Sequence, residues 1–291
     1  MLIVSKHTGQ LCNRIWSLLP LISYLEHTRS KALILYARED YVTLFPALKK
    51  YCRINWLLFS DVQHTFVYKV LNCFFKSILR WIPNLHCSIK EIRRIGFYAI
   101  DGWEYRHDTS YILEQKSVIL QLFAPSSDVQ NKINGTLHAF DGLTVGVHIR
   151  RGDYREWCNG RYYYSDDVYI RIMQDLALEA NRKGKDIRFL VCSNERFDAK
   201  QVKLQTLQIP DSDGITDLYA LSLCDFIVAP PSSYSQWASF YGSVPLNVVL
   251  ESTQKIFFED FSPIEQLDTF ANGNHLEFDE QNDFFTLIRH E

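Results

Sequence analysis

In the amino-terminal half of the chain, short apolar runs alternate with a segment of helical spacing. A strand, a helix and a second strand follow one another, and parallel strands need a connection of about a dozen residues or more. This order predicts a parallel sheet with crossover helices. The predicted elements are strands at residues 2–5, 32–37, 54–59 and 117–123, a turn at residues 7–11, and a helix through Leu18, Leu19, Ile22 and Leu25.

Residues 67–82 repeat apolar side chains at helical spacing. Lys69, Lys76 and Arg80 fall on the opposite face, and Pro83 ends the pattern. One interpretation is a helix packed on the sheet, which the pattern favours. The other is a basic amphipathic helix that lies on an anionic membrane.

Between residues 125 and 142 the composition shifts to Ser, Asp, Asn and Gly, which is typical of a linker. We place the domain boundary there, between residues 1–135 and 136–291. A second alternation of strands and helices follows, so each half predicts its own α/β sheet, with a cleft between the domains. The strands predicted in this half are at residues 144–149, 187–192, 226–229 and 246–250. The predicted helices are at residues 165–182 and 217–223, in a segment that residues 230–235 open and that continues through Trp237 and Phe240, and after Glu251.

The composition is that of a globular protein, since 47% of the 291 residues are hydrophobic, enough to fill two cores. The seven cysteines are odd in number and form no C-x-x-C pair, which favours free thiols. No run approaches the about 20 apolar residues of a membrane span, and the first residues lack a secretory signal pattern, so we expect a cytoplasmic protein. Residues 1–100 carry 14 Lys and Arg against 5 Asp and Glu, which favours an anionic partner, either a phosphate-bearing substrate or the inner face of a membrane.

The most informative segment is VGVHIRRGDY at residues 145–154, an apolar run that ends in two arginines and an acidic turn. Guanidinium groups stay charged and bind phosphate oxygens through two donors each, and ligands of open α/β sheets bind at the carboxyl ends of strands. We therefore predict an anion site at Arg150 and Arg151. The competing interpretation is a surface pair engaged with carboxylates. Because side chains alternate along a strand, His148 and Arg150 face one side and Arg151 the other.

A second candidate site is the serine turn, SSYS at residues 232–235, which lies between a predicted strand and a helix start. The N–H groups at a helix N-terminus and nearby hydroxyls can receive a phosphate, while serines before helices also serve as simple N-caps. Asp211 and Asp213 match the letters of a D-x-D metal motif, but their position between a proline and a glycine favours local backbone hydrogen bonds. We predict no metal site.

Two carboxylates near the arginine pair, Asp153 and Glu156, are the candidate general bases. An acceptor hydroxyl loses its proton as it attacks, and a carboxylate within hydrogen-bond reach can accept that proton. Asp153 can instead pair with an arginine, which would make it a poor base. The motifs of zinc proteases, P-loop proteins and dinucleotide-binding folds are absent.

The segment HIRRGDY at residues 148–154 resembles the H-x-R-R-G-D-Y motif of the bacterial and animal α-1,2-fucosyltransferases. DLYALSLCDFIV at residues 217–228, followed by SSYSQW at 232–237, is similar to that family's D-x-x-x-x-S-x-C-x-x-x-I segment and serine turn. GQLCNR at residues 9–14 is similar to its amino-terminal loop, and SNE at 193–195 stands where the family has S-D-D. These segments follow the family's order and span the chain.

The resemblance implies an α/β fold of the GT-B type, in which two Rossmann-like domains face each other across a cleft. Residues 1–135 would form the acceptor side, and residues 136–291 would bind the donor. The implied enzyme is an inverting fucosyltransferase that moves L-fucose from GDP-fucose to a glycan hydroxyl, in the first place α-1,2 to galactose in a surface polysaccharide, without a cofactor or an essential metal ion. The resemblance assigns Arg150 to the diphosphate of the donor, His148 and Asp217 to the nucleoside, and residues 233–235 to the phosphates. With the two carboxylates chosen above for their place beside the arginines, the candidate catalytic residues are Arg150, Asp153 and Glu156. The candidate donor-binding residues are Asn13, Arg14, His148, Arg150, Arg151, Asn194, Asp217, Ser232, Ser233 and Ser235.

Three alternatives stay open. The first is an enzyme of the same architecture that uses another nucleotide sugar or makes another fucosyl linkage. The second is a nucleotide-binding module without catalysis, and the third is a peripheral membrane scaffold built around residues 67–82. The expected partners are GDP-fucose and a glycan acceptor, free or lipid-linked, with no nucleic acid and with membrane contact only through residues 67–82.

Overall fold

The structure is a computed structural model that divides into two compact units, Met1–Ser126 and Ser127–Glu291. The sequence analysis places the boundary later, after residue 135, within a segment predicted to be a linker. That segment instead contains a helix over Ser127–Thr136 that belongs to the second unit. The residues that the structure describes are 2–6, 9–36, 42, 44–58, 97–101, 103, 106–108, 111–137, 139–198 and 203–290.

The amino-terminal unit contains a parallel sheet of four strands. Its strands are β1 (Leu2–Lys6), β2 (Ala32–Tyr36), β3 (Ile54–Leu58) and β4 (Phe97–Asp101), and its helices are α1 (Leu11–His27), α2 (Pro46–Lys49) and α3 (Lys116–Leu122). The strand order is β3-β2-β1-β4, and every pairing is parallel. The predicted β1-α1-β2 unit and the predicted strand at β3 are confirmed.

The strand predicted over residues 117–123 is wrong, because this segment forms the helix α3. Ile119, Leu122 and Phe123 are buried while Gln121 is exposed, which is the three- and four-residue spacing of a helix. A short apolar run does not distinguish the two structures by composition alone. The amphipathic segment at residues 67–82 lies outside the described residues. Within the described part of the chain, no helix is long and apolar enough to cross a bilayer.

The carboxyl-terminal unit is built on a second parallel sheet, in which the order β7-β6-β5-β8-β9 has the 3-2-1-4-5 pattern of a Rossmann-type fold. The strand order reverses between β5 and β8, and ligands of such folds bind beyond the carboxyl ends of the strands at this switch. The strands are β5 (Leu143–Ile149), β6 (Ile187–Ser193), β7 (Thr206–Leu207), β8 (Phe226–Ala229) and β9 (Leu246–Val248), and the helices are α4 (Ser127–Thr136), α5 (Asp166–Arg182), α6 (Gly214–Leu221) and α7 (Ser233–Gly242).

Helix α5 shows how the sequence specifies this layer. Tyr169, Ile172, Met173 and Leu176 recur at helical spacing and are buried against the sheet in the core of the unit. Two acidic residues occupy its first turn, where negative charge is favourable near the positive end of the helix dipole.

The carboxyl-terminal helices predicted after Glu251 are wrong. This region forms an antiparallel sheet of β10 (Ile264–Gln266), β11 (Thr269–Phe270), β12 (His275–Asp279) and β13 (Phe284–Ile288), in that order. Leu276 is buried between exposed neighbours, as expected of a strand with one covered face. Tight turns separate the strands, and Asp268, Gly273 and Asp283 there adopt positive φ.

Candidate anion-binding site

We call residues 150–155 the arginine turn. The arginine turn and the serine turn lie beyond the carboxyl ends of β5 and β8, the two strands that flank the switch in strand order. The buried strand β5 ends at Ile149, and the chain then turns through a short 3₁₀ helix at Gly152–Arg155. Gly152 has a φ of +63°, which a side chain would strain. The sequence prediction that both turns occupy strand ends is confirmed by this topology.

The guanidinium of Arg150 pairs with a carboxylate and lies near an aromatic ring. Its Nη2 lies 2.8 Å from Oδ1 and 3.0 Å from Oδ2 of Asp153, and its side chain is 20% exposed. The guanidinium carbon also lies 5.8 Å from the ring centroid of Tyr154, within the range of a cation–π contact. The pairing of Asp153 with an arginine, considered in the sequence analysis as the alternative to a catalytic role, is therefore present.

Arg151 has separate partners, in line with the alternation expected at a strand end. Its backbone N–H donates to Oδ1 of Asn194 at 2.7 Å, and its guanidinium donates to the carboxylate of Asp166 in the first turn of α5. The side chain is only 12% exposed. Arg151 therefore ties the arginine turn to α5, and Asn194 braces the backbone of that turn.

Glu195, which follows β6, contacts the arginine turn and was not predicted as a site residue by the sequence analysis. Its Oε1 accepts a hydrogen bond from the N–H of Gly152 at 3.1 Å, and its carboxylate pairs with Arg155 at 3.2 Å. A side chain at position 152 would also approach Nδ2 of Asn194 to 3.1 Å. Asn194 and Glu195 directly follow β6, the strand that pairs with β5. Their position at that strand end is the sequence signal that could have identified Glu195 as a site residue.

Tyr154 joins the two turns and was also missed as a site residue. Its buried hydroxyl donates to the carbonyl oxygen of Pro231, immediately before the serine turn. Burial raises the pKa of this phenol, which therefore stays protonated as a donor. The available signal was the aromatic residue that closes the HIRRGDY segment.

His148 is buried at the end of β5, and burial together with the nearby charge of Arg150 lowers its pKa to about 3. The imidazole is therefore neutral at ordinary pH. Its ring centroid lies 4.8 Å from that of Tyr234, whose hydroxyl donates to the carbonyl of Gly214 at 2.7 Å. Among the described residues, Nδ1 of His148 has no hydrogen-bond partner although it is buried.

The serine turn begins α7 with internal hydrogen bonds. Oγ of Ser232 accepts from the N–H of Tyr234 at 3.2 Å and so caps the helix. The fully buried Ser235 donates from Oγ to the carbonyl of Ser232 at 3.1 Å, and Ser233, which is partly buried, is the first residue of α7. The serine hydroxyls thus shape the helix start, whose dipole and N–H groups favour an anion.

Helix α6 carries two of the aspartates considered in the sequence analysis. Asp213 caps it, with Oδ1 accepting from the N–H of Thr216 at 2.8 Å, so the D-x-D letters belong to a helix cap here. Asp217 is largely buried, and burial raises its carboxyl pKa to about 6. Glu156 is exposed after the arginine turn, and its carboxylate forms no ion pair with any residue that the structure describes.

Asn13 and Arg14 belong to the other unit, in the first turn of α1, and both are partly buried. The N–H of Arg14 donates to the carbonyl of Gln10 at 3.2 Å. Gly9 has a φ of +65°, and a Cβ there would come within 2.1 Å of Nδ2 of Asn13. This contact and the positive φ explain why the loop needs a glycine two residues before the helix.

The sequence matches no family model and no curated protein. Solved structures do resemble the chain across its length. A NodZ α-1,6-fucosyltransferase soaked with GDP-fucose aligns with a TM-score of 0.52 at 16% identity, covering 100% of this chain and 99% of that one. The fold is of the GT-B type.

Two further fucosyltransferase structures share this fold. A mutant of Arabidopsis thaliana FUT1 in complex with GDP aligns with a TM-score of 0.58 at 14% identity, covering 99% of this chain and 83% of that one. POFUT1 in complex with GDP aligns with a TM-score of 0.50 at 10% identity, covering 87% and 95%. The predicted α/β class with Rossmann-like units is thereby confirmed.

Proposed function

We propose that this protein is an inverting fucosyltransferase, which moves L-fucose from GDP-fucose to a glycan hydroxyl and forms an α-1,2 linkage to galactose. The observation that carries the proposal is that Tyr154 contacts both Arg150 and Pro231, which lies two residues before α7, at the switch of a Rossmann-type sheet. A structure soaked with GDP-fucose and a structure in complex with GDP share the fold. The HIRRGDY segment supports the α-1,2 linkage. NodZ, which shares the fold, is named as an α-1,6 enzyme, so the linkage needs its own test.

In this proposal the diphosphate of the donor binds between Arg150 and the N-terminus of α7. The guanidinium exchanges part of its pairing with Asp153 for phosphate oxygens, which bind an arginine through two donors. His148 and Asp217 hold the nucleoside. An unpaired buried polar group costs about 1–3 kcal/mol, so a hydrogen bond from the nucleoside to Nδ1 of His148 removes a cost that the free protein carries.

The reaction forms one carbon–oxygen bond and breaks another at the anomeric carbon of fucose. The acceptor oxygen attacks from the face opposite the diphosphate, and the electron pair of the broken bond leaves with GDP. Arg150 and the helix N–H groups stabilise the negative charge that develops on the departing oxygen. This fixed positive charge is the reason that we propose a reaction without an essential metal ion.

The proton of the acceptor hydroxyl passes to Asp153 or Glu156. Asp153 lies against Arg150, and Glu156 is exposed three residues further on. Asp153→Asn and Glu156→Gln separate the two. The variant that lacks the base loses turnover, and the other variant retains turnover.

The test is to incubate the purified protein with GDP-fucose and a panel of galactosides and to measure GDP release with and without acceptor. The expected result is acceptor-dependent release, with GDP-mannose and UDP-galactose inactive as donors. NMR of the product then distinguishes α-1,2 from α-1,6 fucose. Thermal stabilisation by GDP without transfer to any acceptor would point to a nucleotide-binding module and overturn the proposed activity.

A further inference from the structure

The carboxyl-terminal unit contains a second concave surface, which we call the sheet groove. It has a volume of about 1000 Å³ and lies between β9 with its following loop and the antiparallel strands β12 and β13. A pocket of ~300–1,000 Å³ is typical of small-molecule sites. None of the residues predicted to bind the donor or to act as bases lines the sheet groove. It is therefore a separate surface that the proposed donor site does not explain.

The charged side chains that line the sheet groove balance one another. Three are cationic and three are anionic: Arg161, Lys255, Arg289, Glu251, Glu259 and Asp260. A site for a polyanion, such as a nucleic acid or a phosphorylated ligand, concentrates one sign of charge. The balance in the sheet groove instead fits a ligand without net charge that needs both hydrogen-bond donors and acceptors.

Aromatic rings and amide side chains complete the lining. Phe257 is 48% exposed at the groove, and the partly exposed Phe284 lies beneath the guanidinium of Arg161, 5.4 Å from its carbon. Asn272 and Asn274 also line the groove, and each amide has donors as well as an acceptor. A sugar ring offers hydroxyls at its edge and apolar C–H groups on its face, so it matches amides and carboxylates beside a flat aromatic ring.

We propose that the sheet groove binds a neutral oligosaccharide. Phe257 stacks on the apolar face of one sugar ring, and the surrounding amides and carboxylates bind its hydroxyls. That this oligosaccharide is part of the acceptor chain rests on the proposed fucosyl transfer, whereas the binding itself does not.

The sheet groove is joined to the arginine turn by direct contacts. Tyr162, which lines the groove, accepts a hydrogen bond at its hydroxyl from the N–H of Phe285 at 2.6 Å. The ring of Trp157 lies between Tyr154 and Phe285, with centroids at 4.5 Å and 6.0 Å. A glycan in the groove would thus lie on elements that support the turn carrying Arg150.

The experiment measures glycan binding by the full chain without nucleotide, on an array of neutral and acidic oligosaccharides, followed by calorimetry on the strongest neutral ligand. Phe257→Ala is expected to weaken this binding at least tenfold. Leu178→Ala is the matched control, because it also removes an exposed apolar side chain but lies on α5, outside the groove lining. Absence of binding to every neutral oligosaccharide, or equal affinity of Phe257→Ala and the wild type, would overturn the proposal.

Arg150→Ala separates this inference from the proposed reaction. If the variant loses transfer but still binds the glycan, both proposals stand. Glycan binding by a wild-type protein that transfers no fucose would sustain the sheet groove and overturn the reaction. Fucose transfer by a wild-type protein that binds no neutral glycan would support the proposed reaction and overturn the proposal for the sheet groove.

Discussion

In the turn after β5 three arginines are paired with carboxylates, whereas the turn after β8 carries no charged side chain. Arg150, Arg151 and Arg155 pair with Asp153, Asp166 and Glu195. In the serine turn the hydroxyls of Ser232 and Ser235 bond to the backbone of their own turn. One turn therefore supplies cationic side chains that are already paired with carboxylates, and the other supplies backbone dipoles at a helix start.

This difference separates the tasks of the two turns. A guanidinium can exchange a carboxylate for a phosphate, because both present paired oxygens to its fork. The N–H groups of α7 are held by the helix backbone, so in the proposed site they would define where the anion lies. Tyr154 connects the two through its bond to Pro231. The predictions below concern variants of Arg150, Arg151, Asp217 and Tyr154, in order of decreasing expected effect.

The largest effect is expected from Arg150→Ala. In the proposed reaction this charge faces the departing diphosphate, so its loss should reduce turnover by on the order of a hundredfold or more, since one such donor contributes about 2.7–4 kcal/mol. Thermal stabilisation by GDP should fall as well. Steady-state kinetics with GDP-fucose and the acceptor found by the panel provide the measurement.

Arg150→Lys is the control that separates the effect of the positive charge from the effect of the guanidinium geometry. It keeps the positive charge but loses the two-pronged geometry, so its turnover should lie between those of wild type and Arg150→Ala. Turnover like that of wild type in Arg150→Ala would show that the arginine turn does not act on the leaving group.

Arg151→Met tests the anchor rather than the chemistry. It leaves the carboxylate of Asp166 without its partner in a largely buried pair, and we expect a loss of about 2–3 kcal/mol in the free energy of unfolding, below the 3–5 of a fully buried pair. Urea unfolding measures it. Arg155→Met is the matched control: its side chain is 61% exposed in the pair with Glu195, so its loss in the free energy of unfolding should be much smaller than that of Arg151→Met. Equal losses in both variants would contradict the assignment of Arg151 as the anchor.

The parallel strands β5 and β6 were predictable because both of their faces are buried, whereas β4 and the two-residue β7 were not predicted. β5 and β6 read as continuous apolar runs, and their ends were predicted to within a residue or two. The strands β12 and β13 have one covered face and exposed apolar residues such as Phe278 and Ile288, so their pattern has little contrast. The turn residue Asp283 marked the hairpin more clearly than the strands did.

The candidate site was predictable in its residue types but not in its pairings. Charge at the end of β5 is visible in the sequence, and strand alternation separates Arg150 from Arg151. The choice of Asp166 as partner of Arg151 depends on how α5 packs beside β5, and no spacing rule encodes it. The hydrogen bond of Tyr154 to Pro231 likewise exists only once β5 and β8 are neighbours in the sheet.

Asp217→Asn should stabilise the protein in a pH-dependent way. The pKa of Asp217 is raised from 3.8 to about 6 by burial, so its ionisation in the folded state opposes folding. This cost is absent below pH 3.8, grows between about pH 4 and 6, and is constant above. At about 1.4 kcal/mol per pKa unit this shift corresponds to about 3 kcal/mol, and solvent screening at the partly exposed side chain reduces that figure. The variant should therefore gain about 2 kcal/mol in the free energy of unfolding at pH 7.5 and much less at pH 4.5.

Urea unfolding at the two pH values checks this prediction. Asp211→Asn is the control, because Asp211 is exposed and asparagine tolerates its positive φ of 47°. If Asp217 holds the nucleoside, the stabilised variant also loses affinity for GDP. A gain in stability that is the same at both pH values would refute the role of the buried charge.

The smallest effect is expected from Tyr154→Phe, which removes only the connection between the turns. The carbonyl of Pro231 loses its donor, at a cost of about 1 kcal/mol in the free energy of unfolding. Tyr164→Phe is a close match, since the buried Tyr164 donates to the carbonyl of Val249 at 3.1 Å. Both variants should lose similar stability, but only Tyr154→Phe should lower kcat, by about fivefold, because the hydrogen bond of Tyr154 connects the arginine turn to the residue before the serine turn. An unchanged kcat in Tyr154→Phe would mean that the two turns hold their relative positions without this bond.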